Sequence, residues 1–183
     1  MKLAVITGSV RPGRIGPAFA AWFADRAREQ GAFDVVQLDL AEVGLPFHDE
    51  PHHPKTGIYL HDHTRRWSEA IDGADAFVMV TPEYNYGYGA ALKNAIDFLH
   101  KEWADKPVGF VGYGGIGAGT RAIQQLKQVV TTLRMVPVFE SVNVPFAPAQ
   151  LDEAGAVRPD EERDVAARAM LEELLRLARK LRS

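Results

Sequence analysis

Leu3-Ala4-Val5-Ile6-Thr7-Gly8-Ser9-Val10-Arg11-Pro12-Gly13-Arg14-Ile15-Gly16-Pro17 runs from an apolar strand through a glycine-rich turn into a helix. Pro17 suits a first helical position, and Ala20, Phe23, Ala24 and Ala27 then form one apolar stripe. Such a turn presents unpaired backbone N–H groups and the positive end of a helix dipole. Gly8, Gly13 and Gly16 let the backbone approach a ligand closely. Ser9 adds a hydroxyl, and Arg11 and Arg14 add guanidinium groups suited to phosphate. The plainer alternative is a glycine-rich turn carrying two solvated arginines.

Outward from this stretch, short apolar runs alternate with segments at helical spacing. Strands are expected at Lys2–Thr7, Asp34–Leu40, Ala76–Thr81, Val108–Tyr113 and Val136–Val144. Their near-continuous apolar character fits a parallel sheet covered on both faces. Helices are expected after Pro17 and over Thr64–Ile71, Ala90–Leu99 and Thr120–Leu133. A last helix opens acidic at Asp160, Glu161 and Glu162 and closes basic at Arg179, Lys180 and Arg182, complementing its dipole. Leu171, Leu174, Ala178 and Leu181 mark its expected buried face. The pattern predicts one doubly wound α/β domain over 1–183, with a ligand beyond the carboxyl ends of the strands.

The 183 residues are 46% hydrophobic and 25% charged, which is ordinary for a globular domain. A net charge of −3 argues against a nucleic-acid binder and against a strongly acidic electron carrier. The absence of cysteine excludes disulfides, thiol catalysis and cysteine-held clusters. The apolar part of Met1–Gly8 is too short for a signal peptide, and no run approaches the roughly 20 apolar residues of a membrane helix. A cytoplasmic location is therefore expected.

A second motif, Pro82-Glu83-Tyr84-Asn85-Tyr86-Gly87-Tyr88-Gly89, follows the third strand. Pro82 fixes the strand exit, and amides over 83–86 are expected to meet the polar edge of a pyrimidine-like ring. The three tyrosines are candidate stacking or rim residues, or parts of a subunit interface. Phosphate site and ring site together indicate a mononucleotide, read as a flavin.

Three decoys are weighed against this. The first turn imitates a triphosphate loop, but Ile15 stands where a magnesium-binding hydroxyl is needed, and Thr81-Pro82 supplies no aspartate. Gly112-Tyr113-Gly114-Gly115-Ile116-Gly117 spells a dinucleotide fingerprint, and Glu140 lies near the expected acid spacing of about 20 residues. Only one strand and one helix remain after it, so a glycine wall beside a flat ring is the better reading. His48, His52, His53, His61 and His63 crowd one proline-rich segment with Asp49, Glu50 and Asp62. His61 and His63, two apart, do not share a helical face, so a lid loop is expected there in preference to a metal site.

Gly8–Pro17 and Thr81–Tyr86, with Ala90–Leu99, Asp49-Glu50-Pro51 and Tyr59…His63-Thr64…Trp67-Ser68, resemble the NADPH-dependent FMN reductase family from Lys2 to about Phe146. The resemblance implies a flavodoxin-like sandwich with a five-stranded parallel sheet ordered 2-1-3-4-5 and non-covalent FMN. By the same resemblance, Ser9, Arg11 and the Arg14–Ile15–Gly16 segment take the phosphate. Pro82, Glu83, Tyr84 and Asn85 frame the isoalloxazine, with Gly114 and Gly115 opposite. Pro17 stands where many members carry a hydroxyl residue, and Tyr86 where histidine is frequent. The implied activity is hydride transfer from NADPH or NADH through FMN to a small acceptor: a quinone, azo compound, flavin or metal oxyanion. A homodimer or homotetramer is implied as well. The rival expectation is an FMN-binding electron carrier or regulatory module without NADPH turnover. No side chain is assigned an acid–base role, because the cofactor carries the chemistry.

Overall fold

The computed structural model describes residues 1–182. They form a parallel sheet ordered β2-β1-β3-β4-β5, from β1 (Lys2–Thr7), β2 (Asp34–Asp39), β3 (Ala76–Pro82), β4 (Pro107–Tyr113) and β5 (Val136–Val144). Helices α1 (Gly16–Gln30), α2 (Leu40–Val43), α3 (Asp62–Asp72), α4 (Ala90–Asp97), α5 (Thr120–Thr132) and α6 (Glu161–Arg182) connect and cover it. The expected order and all five strands are present. The helix α2 was not foreseen: Leu40 starts it instead of ending β2, because the Asp39 carboxylate caps the amide of Ala41 at 3.0 Å.

Alternation along β1 shows why the sheet is covered on both sides. Leu3 and Val5 enter one core with Phe19 and Phe23 of α1 and Met170 and Leu174 of α6. Ala4 and Ile6 enter the opposite core with Trp67, Ile96 and Leu126 of α3, α4 and α5. Every residue of β3 and β4 is buried, as expected for central parallel strands. Leu171, Leu174 and Ala178 lie in the first core, whereas Leu181 is exposed, one turn beyond the end of that contact.

The histidine-rich segment corrects one expectation, that of a lid. It is pinned to α4: the Asn94 amide donates to the Pro46 carbonyl at 2.7 Å and accepts the His48 N–H at 2.9 Å. None of its residues lines the cleft described below, so it is not a lid over that cleft. The rings of His61 and His63 do stack, at 5.2 Å, because His61 is extended and precedes α3 while His63 lies in its first turn. Among the described residues, no three His, Asp or Glu side chains converge as metal ligands. No described helix is long and apolar enough to cross a membrane.

Candidate functional site

The parallel order places the turns after β1, β3, β4 and β5 along one edge, and a cleft of about 380 Å³ opens there. Arg11, Arg14 and Ile15 come from the first turn, Pro82 from the end of β3, Glu83 and Tyr84 from the turn after it, and Gly114 and Gly115 from the turn after β4. Eight of the eleven predicted residues thus line one cavity. Its volume falls in the range of small-molecule sites, about 300–1,000 Å³.

The other three stand beside the cavity. Ser9 is buried and its hydroxyl lies 3.0 Å from that of Tyr84, tying the two loops together. Gly16 begins α1, and a Cβ placed there would come within 2.7 Å of the Tyr113 hydroxyl. Asn85 faces a neighbouring depression. Among the described residues, the amides of Ser9, Val10 and Arg11 donate to no other group of the chain, which leaves them for an anion. Arg14 is held by Asp39 at 2.5 Å, at the end of the adjacent strand, and its Nε is buried without a partner.

The tyrosine-rich turn differs from its expected use. The amide of Glu83 donates to the Tyr113 carbonyl at 2.8 Å, and that of Tyr84 to the Gly87 carbonyl at 2.8 Å. Two of the four expected ring-binding amides are therefore spent on the fold. Those of Asn85 and Tyr86 remain without a partner among the described residues. Both central residues have positive φ, 49° at Asn85 and 70° at Tyr86, as a tight two-residue reversal requires. For Tyr86 that conformation costs on the order of 1–3 kcal/mol and is typical of functional turns. The Glu83 carboxylate accepts the Arg121 amide at 3.1 Å and pairs with its guanidinium, tying this turn to the start of α5.

Tyr113, Phe146, Ala147 and Pro148 complete the cavity wall and were not foreseen. Tyr113 ends β4 and stacks on Phe19 at 5.3 Å. Burial, together with the neighbouring Tyr84, pushes its phenol pKa up, so it stays a neutral hydroxyl. The Phe146 and Ala147 amides donate to the carbonyls of Gly115 at 3.1 Å and Gly114 at 2.9 Å, clamping the glycine wall. Gly112, the first of the dinucleotide-like glycines, serves packing: a Cβ there would approach Ile123 Cδ1 to 2.8 Å.

An order 2-1-3-4-5 sheet whose carboxyl edge carries a cleft, with Arg11 and Arg14 after β1 facing the turns after β3 and β4, is a flavodoxin-like architecture. The family profile described as NADPH-dependent FMN reductase matches residues 1–149. A stretch of 148 residues is 44% identical to an NAD(P)H-dependent FMN reductase of Schizosaccharomyces pombe, spanning 79% of this chain and 74% of that one. A 2-hydroxy-1,4-benzoquinone reductase of a Burkholderia species is 31% identical over 130 residues, 68% of this chain and 66% of the relative. In fold, the flavoenzyme NAD(P)H:(acceptor) oxidoreductase FerB of Paracoccus denitrificans superposes with a TM-score of 0.79 at 21% identity, covering 98% and 97% of the two chains. The chain belongs to the NADPH-dependent FMN reductase family, and is an oxidoreductase using FMN and a reduced nicotinamide.

Proposed function

We propose that this chain is one flavodoxin-like FMN-binding domain that passes hydride from NADPH or NADH to a small acceptor, a quinone foremost, with azo compounds, free flavin and metal oxyanions as further candidates. The observation that carries the reading is the single cleft in which an anion-ready turn meets an apolar, glycine-backed wall. FMN supplies the two-electron chemistry when bound. The amides of Ser9 to Arg11 and the Arg11 guanidinium hold its phosphate, while Asp39 fixes Arg14 at the rim of that site. Pro82, Glu83, Tyr84 and Asn85 flank the ring on one side, and Gly114 and Gly115 allow close approach on the other. The largely buried Tyr113 lines the same cavity. A cytoplasmic homodimer or homotetramer without nucleic-acid partners completes the proposal.

Arg11→Ala tests it. Loss of one charged hydrogen-bonding group, about 1.5–3 kcal/mol, should weaken FMN binding at least tenfold with the fold intact. The readout is flavin absorbance of the purified and FMN-titrated protein, followed by NADPH addition without air. A variant that retains stoichiometric FMN would refute the phosphate assignment. A wild-type protein whose flavin stays oxidised under NADPH would favour the electron-carrier rival.

A further inference from the structure

Next to the flavin cleft lies a second depression of about 380 Å³, and the two share Glu83 and Gly115. Its walls include the exposed side chains of Tyr86 and Ile116. The Arg121 guanidinium stacks over the Tyr86 ring, 4.0 Å from its centroid. Behind it, the Glu83 carboxylate is only 8% exposed while Arg121 is 46% exposed, so the ion pair turns its positive end outward. The Tyr86 carbonyl accepts from Gln125 Nε2 at 3.1 Å, which helps hold the turn in its positive-φ conformation. Two features thus coincide beside the flavin cleft: an apolar-aromatic ledge and a fixed, outward cation.

We propose that this depression is the acceptor subsite, and that Arg121, positioned by Glu83, selects planar aromatic acceptors that carry negative charge, such as sulfonated or ionised hydroxyquinones. The assignment rests on the flavin reading of the neighbouring cleft. In the reaction a quinone takes up one hydride equivalent, whose two electrons originate in the reduced nicotinamide, and one proton from water. Its two carbonyl groups become hydroxyls. The guanidinium attracts the acceptor's permanent charge and stabilises the charge that builds on its oxygens before that proton arrives.

The FMN-loaded enzyme is assayed with NADPH and two acceptors, 1,4-naphthoquinone-2-sulfonate and uncharged 2-methyl-1,4-naphthoquinone. The quantity read is the ratio of their kcat/KM values. Arg121→Gln should lower that ratio on the order of tenfold, as expected for one lost charge-assisted contact. Arg121→Lys should keep most of it. High salt should narrow the ratio in the wild type and leave it flat in Arg121→Gln. An unchanged ratio in Arg121→Gln overturns the proposal, as does a raised KM for NADPH with the ratio untouched, which would assign the cation to the nicotinamide. An enzyme whose flavin NADPH reduces, but which turns over neither quinone, overturns the subsite and spares the flavin site. Failure of NADPH to reduce the loaded flavin overturns the reductase reading, and the subsite with it.

Discussion

At Gly16 the absence of a side chain is what lets Tyr113 pack into the cavity wall. A methyl group there would sit 2.7 Å from the Tyr113 hydroxyl, and the stack on Phe19 leaves the ring little room to withdraw. Gly16→Ala should therefore destabilise the protein by about 1–3 kcal/mol, the usual cost of overpacking, and weaken FMN binding. Urea unfolding and flavin titration check both, and unchanged values would mean that Tyr113 moves freely. Gly16 was legible in the sequence because the turn after β1 concentrates its glycines, hydroxyl and arginines within nine consecutive residues. Tyr113 and Phe146 were not: Tyr113 stands in the run Gly112–Gly117, where only the glycines carry the reading, and Phe146 stands in no motif. They reach the cavity only because parallel register ends β4 and β5 at the same edge as β1. The Glu83–Arg121 pair was hidden for the same reason: its members lie 38 positions apart.

Among the elements, the segment between α2 and α3 shows how a loop without regular structure is kept in place. Glu50 is buried, and its two carboxylate oxygens accept the amides of Leu60 and His61, each at 2.9 Å. Burial alone would raise its pKa, but the amides, joined by charge from His61, outweigh it and hold the carboxyl at about 2. The folded value lies below the unfolded value of 4.5. The unfolded chain therefore binds the proton first, and the stabilisation by Glu50 is complete above about pH 4.5 and lost as pH falls toward 2. Glu50→Gln should flatten that acid limb of the stability profile, with the gap between the two proteins closing near pH 2. Unfolding midpoints taken across pH 2–5 measure it, and parallel acid limbs would refute the assignment. The strands and long helices were legible because each repeats a period of burial. This segment carries no period, and its length and proline content suggested a lid. Its actual anchors, Glu50 and Asn94, accept or donate to backbone groups that composition does not reveal.

For the whole molecule, the two cores fix the sheet, but the cavity is assembled from loops after four different strands with no disulfide to tie them. A ligand that touches all four must therefore stabilise the folded state by mass action, by about 2.7 kcal/mol at 100 times its dissociation constant. For a chain of this size each kcal/mol moves the midpoint by roughly 2–4 °C, so FMN at that excess should raise Tm by roughly 5–10 °C. Riboflavin carries the same ring and ribityl chain without the phosphate. At equal concentration it should give a smaller shift, because the amides and Arg11 after β1 then have no anion to hold. In Arg11→Ala the gap between the two ligands should shrink, while the riboflavin shift itself changes little. Differential scanning fluorimetry with both ligands on both proteins reads the phosphate contribution separately from that of the ring. Equal shifts for FMN and riboflavin in the wild type would remove the phosphate from the first turn and leave only the ring wall of Pro82–Asn85 and Gly114–Gly115 to argue for a flavin.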